Sequence, residues 1–311
     1  MDNVLTPVNV SLAFRLGEIT LFERPLLGFA DRRHFTRQEE VPWLPSVPAG
    51  APLSQFYFFP CYPVARPPPV FVREHGWIRY TPYSFNNYYV DVRRVGTFEQ
   101  YLSGFSAKSR STLKRKVKKF AEASGGEIDW RWLSEASEME QFLQWALPLS
   151  KRTYQDRLLG SGLPATETFA ADLRSAAAAG EVIASLLFLS GAPVAYVLCF
   201  CRNGVATYDY VGFDPDAQAL SPGTVLQYLL LEKMFAAGQV EIFDFTEGEG
   251  AQKQFFATDH RLCAKTYVLR SNPINWASIR AHRFLDVAST RIGVLLDQWG
   301  LKARLKKFLR R

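Results

Sequence analysis

A short acidic segment, FDFTEGEGAQK (residues 243–253), contains three carboxylates and a single lysine. Asp244 and Glu247 could each accept a proton from a nucleophile, as general-base catalysis requires. Asp244 lies in an apolar run between two phenylalanines, where burial would raise its pKa unless the carboxylate is paired. Lys253 could be that partner, in a buried ion pair that holds the turn, or it could bind a phosphate or carboxylate of a substrate.

A helix that starts without charged side chains precedes this segment. Ser221-Pro222-Gly223-Thr224 opens an apolar run that Gly238 ends. Serine suits the cap, proline suits the first helical position, and glycine lets a ligand approach closely. The unpaired N–H groups at a helix N-terminus can bind phosphate without any side chain. The alternative is that Ser-Pro-Gly is simply a favourable helix start.

The run YDYVGF (residues 208–213) leads towards that helix. In a regular strand Tyr208 and Tyr210 share one face, where they could act as a general acid or line an acceptor pocket, or pack in the core. Gly212 would allow a ligand to approach the strand backbone, or would mark a β-bulge.

The elements around these residues follow a recognisable order. Apolar runs at residues 181–190, 194–201 and 205–213 are separated by turn formers, and Asn203-Gly204 is typical of a hairpin. A helix, a strand at 240–245 and a last strand at 264–271 follow. An antiparallel meander followed by strand, helix and strand predicts an α/β (α+β) fold with a mixed sheet and helices on its faces.

Three segments resemble those of the GNAT acyltransferases, and within them those of the CelD/BcsL-like group, which is related to the FemAB enzymes. GFDPDAQALSPGTVL (residues 212–226) is similar to the group's glycine-aspartate-proline turn and S-P-G-x-x-L helix start. FDFTEGEGAQK resembles its D-x-x-x-G-x-x-x-Y-K segment, and FSAKSRSTLKRKVKKF (residues 105–120) resembles its upstream basic helix. The resemblance covers residues 106–270.

The resemblance implies a GNAT-like fold and an enzyme that transfers an acyl group from acyl-CoA (acetyl-CoA or longer), without a metal, to an amine of an envelope, polysaccharide or lipid precursor. It implies a coenzyme-binding set formed by Val211, Gly212, Phe213, Ser221, Gly223, Thr224, Val225 and Leu226. The candidate catalytic residues are Asp244, Glu247, Lys253 and Tyr208. The candidate acceptor-binding residues are Tyr210, Arg110 and Arg115.

Two departures from the family pattern keep other functions open. Gln252 stands where the family usually has tyrosine, and Ser-Pro-Gly replaces the glycine-rich pyrophosphate loop of ordinary GNAT enzymes. One alternative is a FemAB-type transferase that uses aminoacyl-tRNA. Only in this alternative do we expect the protein to bind a nucleic acid. The other is a non-catalytic, membrane-peripheral scaffold.

Basic residues are concentrated in two places. Residues 108–119 carry seven Lys or Arg, which could contact an anionic acceptor, coenzyme phosphates or RNA, or could form a solvated helix face. Residues 276–311 carry nine Lys or Arg against two Asp, which equals the net charge of +7 of the whole chain. Apolar residues alternate with these charges, as in a helix that binds an anionic membrane surface or packs on its own protein.

The overall composition is that of a globular protein, with 48% hydrophobic and 22% charged residues. We expect a degenerate GNAT-like half at residues 1–104, a catalytic GNAT-like domain at 105–272 and a basic amphipathic helix at 273–311. The sequence has neither a run of about 18 apolar residues nor a secretory signal pattern. We therefore predict a cytoplasmic protein, with peripheral attachment to the inner face of the membrane as the alternative, and reduced cysteines.

Overall fold

The computed structural model describes residues 5–17, 19–31, 56–153, 162–248 and 250–298. They form two compact units. One unit contains described residues up to 31 together with 56–85 and 261–298, and the other contains residues 86–260. The predicted α/β class is confirmed, because each unit combines helices with a sheet that has both parallel and antiparallel pairs.

The unit formed by residues 86–260 is built on strands in the order β5-β10-β9-β8-β7-β6. Strands β9 and β10 are parallel, whereas the pairs β8–β9, β7–β8 and β6–β7 are antiparallel, which confirms the predicted meander. The strands are the end of β5 (Trp77–Asp91), β6 (Trp130–Leu133), β7 (Val182–Leu189), β8 (Ala192–Arg202), β9 (Val205–Phe213) and β10 (Ile242–Asp244).

Helices cover both faces of this sheet. Their bounds are α1 (Val92–Val95), α2 (Phe98–Ser103), α3 (Ala107–Ala123), α4 (Met139–Arg152), α5 (Glu167–Ala178), α6 (Pro222–Ala237) and α7 (Ala251–Phe256). Residues of α2, α3 and α6 share one apolar cluster with the sheet, and residues of α4 and α5 share a second. Strand β7 contributes alternate residues to the two clusters, which explains why its sequence is apolar except for Ser185.

The basic segment at residues 108–119 lies within one helix, α3, which is separate from the short helix α2 before it. The Ser106 hydroxyl accepts a hydrogen bond from the Ser109 N–H and starts α3 after the short helix α2. Leu113 and Phe120 are buried, and Gly125 follows the helix with a φ of 85°, a conformation that favours glycine. The predicted amphipathic helix is therefore present, with a cap that breaks the run at its start.

The other unit has strands in the order β1-β2-β3-β11-β5, with β4 paired to β5. They are β1 (Leu5–Leu16), β2 (Ile19–Asp31), β3 (Phe56–Pro63), β4 (Phe71–Glu74), the start of β5 and β11 (Asp259–Arg270). Strand β2 has Pro25 in its middle, a residue that is unusual inside a strand because it has no N–H to donate. Pro25 is paired with Ser11 in a twelve-pair ladder with β1.

The predicted C-terminal helix is present as α8 (Pro273–Gln298) and packs in this unit. Ile279 is fully buried, whereas Phe284 is 72% exposed, so the helix is amphipathic. Arg24 of β2 donates hydrogen bonds to Asn275 and Ser278 of α8 at 2.7 Å each. In the described part of the chain no helix is long and apolar enough to span a membrane. The most basic part of the predicted tail, residues 299–311, lies outside the described residues.

Candidate functional site

Strands β9 and β10 separate where the candidate residues lie. They pair over three residues, from Val205 to Thr207 on β9 and from Ile242 to Asp244 on β10. After this point the chain stays beside β5, because the Phe245 N–H donates to the Tyr88 carbonyl at 3.0 Å. Strand β9 continues for six more residues to Phe213, so its edge opposite β8 is not paired with β10 there.

A β-bulge at Asp209 changes which side chains of β9 lie on each face of the sheet. Leu198 pairs with Tyr210 and Cys199 with Tyr208, which leaves Asp209 as the extra residue. Beyond the bulge the Asp214 N–H donates to the carbonyl of Val194 on β8. Since backbone groups alternate along a strand, those of Val211 and Phe213 point to the open edge.

The same bulge makes one prediction wrong, since Tyr208 and Tyr210 do not share a face. Tyr208 packs with the cluster of α6, at 5.5 Å and 5.6 Å between ring centroids from Phe243 and Phe245. Tyr210 packs with the opposite cluster, against Phe169 of α5. Tyr210 is therefore not on the side of the sheet that carries α6 and Tyr208.

Gly212 is required by packing rather than by a bulge. A Cβ at this position would lie 2.5 Å from Cε1 of Tyr196 and 2.7 Å from Cγ2 of Thr153. Tyr196 is the residue opposite Gly212 on β8. The glycine therefore makes room for these two side chains.

The start of α6 lies beside the end of β9. A Cβ at Gly223 would be 3.5 Å from the Phe213 ring. Ser221 precedes the helix in the left-handed region, with a φ of 54°, a conformation that costs a non-glycine residue on the order of 1 kcal/mol or more. Its carbonyl accepts the N–H groups of Thr224 and Val225 at 3.0 Å and 3.1 Å.

These bonds limit which amides of the first turn are available. The Val225 N–H makes the normal helical bond, and the N–H of Leu226 is similarly placed inside the helix. Both side chains are fully buried. Among the described residues the Gly223 N–H has no hydrogen-bond acceptor, so it is the first-turn amide most available to a ligand.

Two lysines of α3 lie near this turn and were not among the predicted site residues. The Lys116 ammonium is 3.4 Å from Thr224 Oγ1, and the Lys119 ammonium donates to the Ala219 carbonyl at 3.0 Å. Lys116 lies next to the buried stripe of Leu113 and Phe120, which turns it towards α6. That stripe is visible in the sequence, but the helix that it packs against is not.

The two predicted arginines of the basic segment have other environments. Arg110 Nη1 donates to the carbonyls of Ser103 and Phe105 at 3.2 Å and 2.6 Å, so its guanidinium satisfies the end of α2. Arg115 is exposed to solvent on α3. Neither residue is brought to the turn before α6 as Lys116 and Lys119 are.

Asp244 lies at the point where the strands separate and is 5% exposed. Its Oδ1 accepts hydrogen bonds from Asn87 Nδ2 at 2.7 Å and from the Thr246 N–H at 2.8 Å. Within the described ranges its Oδ2 has no hydrogen-bond donor. One carboxylate oxygen is therefore fixed by the fold, and the second is available to accept a proton.

Lys253 does not form the predicted ion pair with Asp244. Its ammonium donates to the Glu247 backbone carbonyl at 2.7 Å, and it forms no ion pair with Asp244. Burial lowers the Lys253 pKa from its usual value of 10.5, and the charges of Asp244 and Glu247 partly oppose this effect. Lys253 and Glu247 therefore close the turn after β10, beside the carboxylate.

Tyr208 combines burial with a free hydroxyl group. Burial raises the pKa of Tyr208 well above its usual value of 10.0, so the phenol stays protonated at neutral pH. Its hydroxyl has no hydrogen-bond partner in the portion of the chain that the structure covers. Such a group can donate a proton or a hydrogen bond to a ligand.

Comparison with known proteins gives one match to a protein family. Residues 107–254 match the acetyltransferase (GNAT) domain. The matched segment is just under half of the 311 residues and contains β6 to β10, α3 to α6 and the candidate residues above. The GNAT part of the resemblance is thus supported, and the finer CelD/BcsL-like grouping stays a prediction. No curated protein gives a significant match.

Solved structures show low similarity to the chain. L-PGS from Bacillus licheniformis is 13% identical, with a TM-score of 0.45, 74% of this chain covered and 72% of that chain. FemX is 12% identical, with a TM-score of 0.44 and coverages of 62% and 63%. A GCN5-related N-acetyltransferase from Kribbella flavida is 12% identical, with a TM-score of 0.34 and coverages of 63% and 62%.

Proposed function

We propose that the protein is an acyltransferase that moves an acyl group from acyl-CoA to an amine. The observation that carries this proposal is the match of residues 107–254 to the acetyltransferase (GNAT) domain. The separation of β9 from β10 beside the start of α6 supports it, because an open strand edge next to a helix N-terminus offers backbone donors and acceptors to an extended anionic ligand.

The phosphate groups of the donor would be held at the start of α6. The Gly223 N–H is unpaired there, and the helix N-terminus carries a partial positive charge. Lys116 and Lys119 add two ammonium groups beside the same turn. The pantetheine arm would pair with the backbone groups of Val211 and Phe213 along the open edge of β9.

Proton transfer would use the residues where the strands separate. Asp244 Oδ2 would take the proton from the attacking amine, either directly or through a water molecule, with Glu247 as the other candidate base. Tyr208, protonated at neutral pH, would donate to the departing thiolate sulfur or to the developing oxyanion. Lys253 would hold the turn that carries Glu247, through its hydrogen bond to the Glu247 carbonyl.

We propose that the acceptor amine belongs to an envelope, polysaccharide or lipid precursor. This assignment comes from the resemblance to the CelD/BcsL-like group. Peripheral membrane binding through the basic tail would suit such an acceptor, and both the tail's role and the degenerate first half at residues 1–104 stay predictions.

Binding of coenzyme A by isothermal titration calorimetry tests the donor. Lys116→Met and Lys119→Met should each weaken coenzyme A binding about tenfold, the loss typical of one charge-assisted contact. Lys114→Met is the matched control, because Lys114 is exposed on the same helix, and it should leave the affinity unchanged. A wild-type protein that binds neither coenzyme A nor acyl-CoA of any chain length contradicts the proposal. Retention of aminoacyl-tRNA instead would favour the FemAB-type alternative.

A further inference from the structure

Gln227 of α6 is a buried polar side chain that the protein itself does not satisfy. The residue has 0% exposure, and neither Nε2 nor Oε1 has a hydrogen-bond partner. Across the described residues these are the buried side-chain nitrogen and oxygen atoms without a partner. Because an unpaired buried amide destabilises the fold, such a group in a native protein calls for an explanation.

Gln227 lies on the side of α6 that packs on the sheet. Leu230, Leu231 and Met234, which follow it at helical spacing, are all 0% exposed. The helix contacts β7, β8 and β9. Leucine or methionine would fill this position without leaving polar atoms unpaired, so the helix itself does not require glutamine.

The position of Gln227 along α6 brings it to the level of the open edge of β9. It is four residues, about 6 Å, along the helix from Gly223, which lies beside Phe213. Val211 is two residues, about 7 Å, back along the strand from Phe213. Since helical side chains lean towards the N-terminus, we infer that the amide of Gln227 faces the part of β9 that carries Tyr208 and Val211, two residues that are only half-buried.

A primary amide offers one acceptor and two donors, and the group that matches both at once is another amide. We propose that the Gln227 side chain binds a secondary amide of the ligand that lies along β9. The pantetheine arm of acyl-CoA contains two such amides, so this inference rests on the proposed function and adds a specificity-determining residue to it. An amide in the acceptor has the same chemistry, and the experiment separates the two sources.

The test compares coenzyme A with adenosine 3′,5′-bisphosphate, which lacks the pantetheine arm. Gln227→Met is close in volume and removes the amide. It should weaken coenzyme A binding about tenfold or more, while binding of adenosine 3′,5′-bisphosphate stays within a factor of two. Leu230→Met, one turn further on the same buried side, is the matched control and should affect neither ligand.

Three results decide the inference. Equal coenzyme A affinity in wild type and Gln227→Met overturns the assignment to pantetheine, and with it this inference, but leaves the proposed function standing. An equal loss of affinity for both ligands in Gln227→Met also overturns it. The residue would then act through the shape of the site that binds the phosphate groups and not through the pantetheine arm. If the wild type does not bind coenzyme A, the proposed function itself fails and the inference fails with it.

Thermal unfolding supplies a readout that is independent of the ligand. Because the amide is unpaired without ligand, Gln227→Met should unfold at the same temperature as the wild type or higher. A fall of several degrees would mean that the amide is satisfied within the ligand-free protein, and would contradict the inference. In wild type, coenzyme A should raise the melting temperature more than the same free concentration of adenosine 3′,5′-bisphosphate, because it binds more tightly, and Gln227→Met should reduce that difference.

Discussion

The candidate site has two polar regions, and they differ in how many of their hydrogen-bonding groups have partners within the protein. Around Asp244, one carboxylate oxygen accepts hydrogen bonds from both Asn87 and the Thr246 amide. Around the first two turns of α6, the Gly223 N–H and the Gln227 amide lack partners within the described residues. The first region supports the fold as well as any chemistry, whereas in our proposal a ligand supplies the missing partners of the second. Substitutions should therefore separate stability from binding.

The largest effect is expected at Asp244. Asp244→Ala would remove the buried acceptor that Asn87 Nδ2 and the Thr246 N–H share, and should lower the free energy of unfolding by about 3 kcal/mol. Urea denaturation measures this change. Asp244→Asn keeps the shape and an acceptor oxygen, so it should destabilise less while still removing the proposed base. A loss below 1 kcal/mol for Asp244→Ala would break the distinction between the two regions.

Gly212 should come next, because its packing belongs to the fold and not to a ligand. Gly212→Ala would force Tyr196 and Thr153 to move and should lower the free energy of unfolding by about 2 kcal/mol. Gly223→Ala is the comparison on α6, where the new methyl group meets the Phe213 ring at an ordinary contact distance. That variant should be as stable as the wild type or slightly more stable, since alanine favours the helix. Similar losses of unfolding free energy in Gly212→Ala and Gly223→Ala would show that the start of α6 is packed as tightly as β9 is at Gly212.

Gln227→Leu should change stability by less than about 1 kcal/mol, in contrast to Asp244→Ala. The variant removes a buried amide that makes no hydrogen bond, so burial of an apolar group compensates for the change in shape. The same urea titration measures it. A loss near that of Asp244→Ala would mean that both regions are satisfied within the ligand-free protein.

The smallest effect concerns Lys253 and its pH dependence. Its pKa in the folded protein lies below 10.5, so between these values the unfolded chain binds more protons and stability rises with pH. The stability of the wild type relative to Lys253→Met should therefore increase as pH rises towards 10.5, and stay constant at lower pH. Urea midpoints of both proteins at pH 7, 8.5 and 9.5 measure this. A difference that falls with rising pH would mean that Asp244 and Glu247 outweigh burial.

The sequence predicts where the strands and helices of this site lie better than it predicts which face each side chain occupies. Local backbone preferences end or start an element at Asn203-Gly204, Ser221-Pro222 and Gly238. The strands and the helix between these positions form where the sequence predicts them. The faces of Tyr208 and Tyr210 depend on the bulge at Asp209, which follows from pairing with β8 and has no local signal. The roles of Lys116, Arg110 and Gln227 depend on which helix lies opposite each side chain, and tertiary packing decides that.

The bulge has a practical consequence for comparing this strand with others. Before Asp209 the side chains on the α6 side occupy even-numbered positions, such as Tyr208, and after it they occupy odd-numbered positions, such as Val211. A relative without the extra residue would keep one parity throughout. An alignment of β9 should therefore place its gap at Asp209, since a gap elsewhere would match residues on the α6 face of the sheet to residues on the opposite face.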